Sequence, residues 1–196
     1  QVEAAFQFAS EFSSPPLLCG ERHCQRMEGF DLGNSPADYT EERVAGREMV
    51  LTTTNGTRAI AAVDSARRLL VAALGNLRSV VDAVATEESL CIVCSGTNGE
   101  VSNEDVLLAG GIVSQLAAAG DCKLDDSAHL ARLHWQNAVS SEGGLENALR
   151  ESLGGRNLIA LGFNSDVQRC AEVDHIRGWV ERDSSPGEPC VFSFRT

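Results

Sequence analysis

Aromatic residues are scarce: they make up 5% of the 196 residues, with one Tyr and two Trp among them. A core with so few rings must be aliphatic, and Val, Leu, Ile and Ala suit a parallel sheet covered by small-residue helices. Basic residues are also in deficit, because 16 Lys and Arg face 28 Asp and Glu for a formal charge of −12. A surface that negative repels phosphate backbones and anionic lipid, so neither nucleic acid nor a membrane surface is an expected partner. An anionic ligand would have to be captured locally by specific arginines. Long apolar runs are missing as well. The longest, residues 69–74, falls far short of the roughly 18–20 residues of a membrane span, and no signal-peptide pattern opens the chain. The seven cysteines are odd in number and lack framework spacing, so reduced thiols and a cytoplasmic location are expected.

Hydrophobic residues at 43% and charged residues at 22% give the ordinary balance of a globular domain. Residues 2–12 read as the tail of an amphipathic helix (Ala5, Phe8, Phe12), and a chain that opens on Gln1 is expected to begin inside a domain. Residues 17–19 and 47–53 read as strands, the second of them buried; 67–74 and 90–94 read as further strands. Helices are expected over 55–65, 77–85, 126–138, 145–153 and 166–173. The clearest covers 102–119, with Ser102 as N-cap, apolar residues at helical spacing and Gly120 as its stop. Trp179-Val180 and residues 191–194 close the chain as strands. Strand, turn and helix alternating at this rhythm predict an α/β fold with a mostly parallel sheet flanked by helices.

One local pattern occurs twice. Thr54-Asn55-Gly56-Thr57-Arg58 follows one predicted strand, and Ser95-Gly96-Thr97-Asn98-Gly99 follows another. At the carboxyl end of a parallel strand, where a helix is about to start, free N–H groups and the positive helix end face outward and favour anions. Turn chemistry alone would explain one copy; two copies in equivalent positions favour a binding role. No Lys-Ser/Thr follows these glycines, as a nucleotide P-loop would need, and G-x-G-x-x-G is absent. At the end of the first strand, Glu21-Arg22 offers an anion fork and a carboxylate for orientation or Mg2+, against the plainer reading of a surface ion pair. Glu104 and Asp105 sit in a first helical turn, where carboxylates stabilise the dipole without any function; a cation ligand is the alternative. Asp31 and Asn34 divide likewise between Asx turns and a site-shaping loop.

Other signals are set aside. Cys91 and Cys94 match C-x-x-C, but three apart in a strand they point to opposite faces. His129 and His134 lie about 140° apart around a helix. His175 stands alone in a loop, and no G-x-S-x-G supports a serine hydrolase.

Together, Gly20-Glu21-Arg22, Gly-Phe-Asp-Leu-Gly-Asn-Ser-Pro over 29–36, Leu-Thr-Thr-Thr-Asn-Gly-Thr over 51–57 and Cys-Ser-Gly-Thr-Asn-Gly-Glu-Val-Ser-Asn-Glu-Asp over 94–105 resemble the 2-phosphosulfolactate phosphatase family. Residues 158–174 extend the likeness over nearly the whole chain. The resemblance implies a Mg2+-dependent phosphoric monoester hydrolase that converts 2-phospho-3-sulfolactate to 3-sulfolactate and phosphate, a step of coenzyme M biosynthesis. It implies an α/β fold of two unequal subdomains with the site between them. Residues 1–196 would then be a single domain lacking its N-terminal strand, because the family's first motif has no counterpart here. Carried onto this sequence, Glu21, Arg22, Arg58 and Asp105 would be catalytic. Asn34, Thr54, Asn55, Gly56, Thr57, Ser95, Gly96, Thr97 and Asn98 would bind substrate, and Asp31 and Glu104 would bind Mg2+. The alternatives are a relative that binds an anionic metabolite without hydrolysing it, and a phosphatase for another small phosphorylated acid; homo-oligomerisation is left open.

Overall fold

A computed structural model of the protein describes residues 2–196. Near the N-terminus, β1 (Leu17–Arg22) lies parallel to β3 (Met49–Thr52), with Leu17 opposite Met49 and Gly20 opposite Thr52. On its other side β1 pairs antiparallel with the short β2 (Gln25–Arg26). His23 and Cys24 between them both adopt positive φ, 54° and 61°, the backbone of a two-residue hairpin turn matched to strand twist. The helix α1 (Val2–Ala9) covers this sheet. Ala5, Leu18, Met27, Phe30 and Val50 form the core between them, and Phe6 meets Phe30 edge to face at 5.6 Å.

The chain then runs through a 3-10 turn (Pro36–Asp38), α2 (Glu41–Val44) and α3 (Gly56–Ala62) to β4 (Leu70–Val71). That strand joins β5 (Trp179–Arg182) and β6 (Phe192–Arg195) in a second sheet, antiparallel throughout. Side chains lock its edges. Arg182 is buried and donates to Asp64 O at 2.7 Å, while Arg68 bonds both Glu87 and Glu181. The Arg68 guanidinium, helped by the Trp179 indole, holds the Glu181 carboxyl down at about 2 despite partial desolvation.

Helices make up the rest: α4 (Leu77–Val84), α5 (Asn103–Ala119), α6 (Asp126–Ser140), α7 (Gly144–Glu151), α8 (Leu153–Ala160) and α9 (Asn164–Cys170). At the centre, α5 buries Leu107, Ala109, Ile112 and Val113. Gly110 lets α6 approach so closely that a Cβ there would overlap the Ala131 carbonyl. The α1 helix, the 17–19 strand, the helix over 102–119 and both C-terminal strands thus form where the sequence places them. Residues 158–163 form an apolar piece that periodicity alone does not assign, and the first three of them are the end of α8.

The sheet itself differs from expectation. Among the described strands only β1 and β3 run parallel, so the chain is a mixed α/β protein without a mostly parallel sheet. Residues 90–94 form no strand, and Leu90 and Val93 are exposed; an apolar run becomes a strand only when a ladder partner lies alongside. The expected strand over 67–74 contracts to Leu70 and Val71 and pairs with the C-terminal hairpin. Nor is β3 buried on both faces: Val50 and Thr52 point inward while Met49 and Leu51 are exposed.

Candidate active site

One cleft of about 310 Å³ opens where the first sheet meets the N-terminal end of α5. Glu21, Asn34, Thr53, Asn55, Gly56, Ser95, Gly96, Thr97, Ser102, Glu104 and Asp105 line it. Both copies of the repeated tripeptide therefore reach one place, and the Asn98 N–H donates to Asn55 Oδ1 at 3.3 Å to tie them together. Every charged side chain of the lining is a carboxylate.

The first loop is organised from β1. Glu21 Oε1 accepts from Thr54 N–H at 3.2 Å and from Thr54 Oγ1 at 3.0 Å, and its Oε2 accepts from Cys24 N–H at 2.9 Å. Glu21 thus fastens the loop after β3 to the end of β1, the place a parallel ladder puts it. Thr57 turns inward and bonds Thr53 through both its N–H and its hydroxyl. Arg22 donates to the Glu21 carbonyl at 2.6 Å and to Thr52 Oγ1 at 3.4 Å, beside the cleft rather than in its lining. Arg58 is exposed in the first turn of α3 and outside the lining.

The second loop departs from a helix opening. Thr97 and Glu100 exchange backbone hydrogen bonds at 3.0 Å in a tight turn, and α5 starts only at Asn103. The amides are largely consumed within the protein: Gly96 N–H donates to Asp105 Oδ2 at 2.7 Å, and Asn98 N–H is spent on Asn55. Ser95 Oγ also donates to Asp105 Oδ2, at 3.2 Å. Converging free amides, the expected anion site, are therefore replaced by side-chain hydroxyls, amides and carboxylates. Desolvation and the adjacent Asp105 carboxylate both push the Cys94 thiol up, so it stays protonated at neutral pH.

Asp31 is not brought to the cleft. Its Oδ2 accepts from Leu18 N–H at 2.8 Å, where the carboxylate holds the start of β1 rather than its carboxyl end. Glu104 does line the cleft, and its Oε2 is a buried oxygen without a hydrogen-bond partner. Among the described residues, no three His, Cys, Asp or Glu side chains gather closely enough to form a complete protein-only metal site. Two lining residues escaped the sequence reading. Thr53 lies within the Thr-Thr-Thr run, and Ser102 looked like a cap alone; its hydroxyl instead meets Thr97 Oγ1 at 2.7 Å. Their only sequence signal was adjacency to the repeated motif.

Comparison with known proteins agrees with the motifs. A protein from Thermotoga maritima named probable 2-phosphosulfolactate phosphatase is 41% identical over 158 residues, covering 81% of this chain and 66% of its own length. The chain thus spans just under two thirds of that relative. Proteins of the same name from Deinococcus radiodurans, 44% identical over 165 residues (82% of this chain, 67% of the relative), and from Caldanaerobacter subterraneus, 36% over 176 residues (89% and 72%), are also similar. The profile of 2-phosphosulpholactate phosphatase matches residues 1–180, a span that includes every residue of the cleft, and the chain belongs to that family.

Proposed function

We propose that this chain hydrolyses 2-phospho-3-sulfolactate to 3-sulfolactate and inorganic phosphate with the help of Mg2+, in the cytoplasm. The observation that carries the reading is a single cleft lined by both Thr-Asn-Gly loops, three carboxylates and no basic side chain. The substrate brings phosphate, carboxylate and sulfonate, all negative. Two like unit charges 4 Å apart repel by about 4 kcal/mol at an effective dielectric of 20, so such a cleft needs a compensating cation. Mg2+ fits the donors present, because it takes hard oxygens and is commonly held by one or two carboxylates together with substrate phosphate. Glu104, with its unpartnered Oε2, would hold it, with Asp105 beside it. When bound, Mg2+ neutralises charge on the phosphoryl oxygens.

The chain's own groups do the remaining work. The Asn34 and Asn55 amides and the hydroxyls of Thr53 and Ser102 are the donors that would hold the phosphoryl oxygens, the Ser95 hydroxyl being already committed to Asp105. Gly56, without a side chain, lets the substrate approach the backbone. Asp105 spends Oδ2 on Ser95 and Gly96 and keeps Oδ1 to orient an attacking water. That water's oxygen ends on phosphorus, the P–O ester bond breaks, and the departing sulfolactate oxygen takes a proton. Arg22, next in sequence to Glu21, and Arg58, two residues beyond Gly56, are read as partners of the carboxylate and sulfonate arms. Seven free cysteines support a reducing compartment, and no described helix is long and apolar enough to cross a membrane.

Phosphate release from 2-phospho-3-sulfolactate tests the reading. Turnover is expected with Mg2+, is abolished by EDTA and returns when Mg2+ is restored. Turnover that persists in EDTA refutes the cation, and saturable sulfolactate binding without any phosphate release refutes hydrolysis.

A further inference from the structure

We infer that Gly154, outside the cleft lining, is a positioning residue that sets where the Glu104 carboxylate stands. This rests on the reading of Glu104 as a cation ligand. Gly154 lies in the first turn of α8, whose start is fixed by Ser152: the buried Ser152 Oγ accepts from Gly155 N–H at 2.9 Å. Its backbone does not need glycine, since it is not among the positive-φ residues and alanine is the better helix former. Space does need it. A Cβ on Gly154 would overlap Glu104 Oε1 and fall 3.2 Å from Cδ and 3.7 Å from Oε2. The carboxylate of α5 therefore packs directly on the bare Cα of α8, at a helix N-terminus that favours negative charge.

The neighbouring glycine shows the contrast. A Cβ on Gly155 would overlap the Leu149 carbonyl oxygen, a backbone atom that cannot yield. At Gly154 the obstacle is the far end of a flexible side chain. Gly154→Ala is therefore compatible with the fold, and the strain is relieved by swinging Glu104 away from its place. The cation that Glu104 would hold is then held more loosely, while Asn34, Asn55 and the cleft hydroxyls stay where they are.

A double-mutant cycle read by Mn2+ binding, from the electron paramagnetic resonance signal of the free ion, tests this without reference to turnover. In the wild-type background Gly154→Ala is expected to weaken Mn2+ binding at least about tenfold. In a Glu104→Ala background the carboxylate is gone, and the same substitution should cause no further loss. Circular dichroism should show both single variants folded. Equal loss in the two backgrounds, or unchanged binding in Gly154→Ala, overturns the positioning role while leaving the cation reading intact. Wild-type protein that takes up no Mn2+ overturns the cation reading, and the positioning role with it.

Discussion

Residues 54–56 and 97–99 carry the same tripeptide into the same cleft with different backbones. In the first, Asn55 has φ −111° and runs straight into α3. In the second, Asn98 at φ 56° and Gly99 at φ 86° bend the chain back through a left-handed turn, and α5 begins several residues later. The first loop is tied to Glu21 by the hydroxyl and the amide of Thr54; the second is tied by its own backbone and by Asp105. Thr-Asn-Gly therefore does not encode a helix opening. It encodes a place where the chain can turn and present polar groups, and in each copy a carboxylate holds residues at or just before the tripeptide. Two acids of the same cleft are involved, Glu21 on a strand and Asp105 on a helix.

The largest effect should come from removing the acid of the second loop. Asp105→Ala frees Ser95 and Gly96 and deletes a cleft carboxylate, so kcat/KM should fall at least about a hundredfold, or roughly 2.7 kcal/mol of transition-state stabilisation. Steady-state kinetics on folded protein would measure it, and near-wild-type turnover would mean that the first loop alone makes the site. Asn55→Ala cuts the bond between the loops and removes a lining amide. About a tenfold loss in kcat/KM is expected, on the scale of one hydrogen bond in a desolvated site. A change in KM with kcat preserved would assign Asn55 to binding and not to the transition state.

The smallest effect separates the two backbones by one substitution made in each copy. Gly99→Ala forces a side chain into left-handed backbone and should cost about 1 kcal/mol of stability in urea unfolding. Gly56→Ala sits at a helical position where only Thr53 Oγ1, 3.0 Å from the new Cβ, must give way. It should lie within about 0.5 kcal/mol of wild type. Equal costs at the two positions would erase the distinction drawn between the loops.

Local pattern was enough for whatever depends on neighbours in the chain. Helical periodicity marked α5, α6 and α7. A run of apolar residues ending in Gly20-Glu21-Arg22 marked β1, and the repeated pattern pointed to Asn55, Gly56, Ser95, Gly96 and Thr97 of the cleft lining. The family motifs were legible for the same reason, being contiguous. What local pattern could not supply was partnership. Residues 90–94 have the composition of a strand and stay unpaired, and Leu70 and Val71 are drawn to a hairpin more than a hundred residues away. Asp31 looks like a site residue until β1 is in place and claims its carboxylate for Leu18 N–H. Gly154 carries no local signal of its own, and its contact with Glu104 exists only once α8 packs there. In this protein the sequence alone determined where the repeated turns lie, that the longer helices α5 and α6 form and which polar groups are on offer. The tertiary structure decided which of those groups spend their hydrogen bonds on the fold and which are left for a ligand, because a donor or acceptor is committed only when its partner arrives from a distant part of the chain.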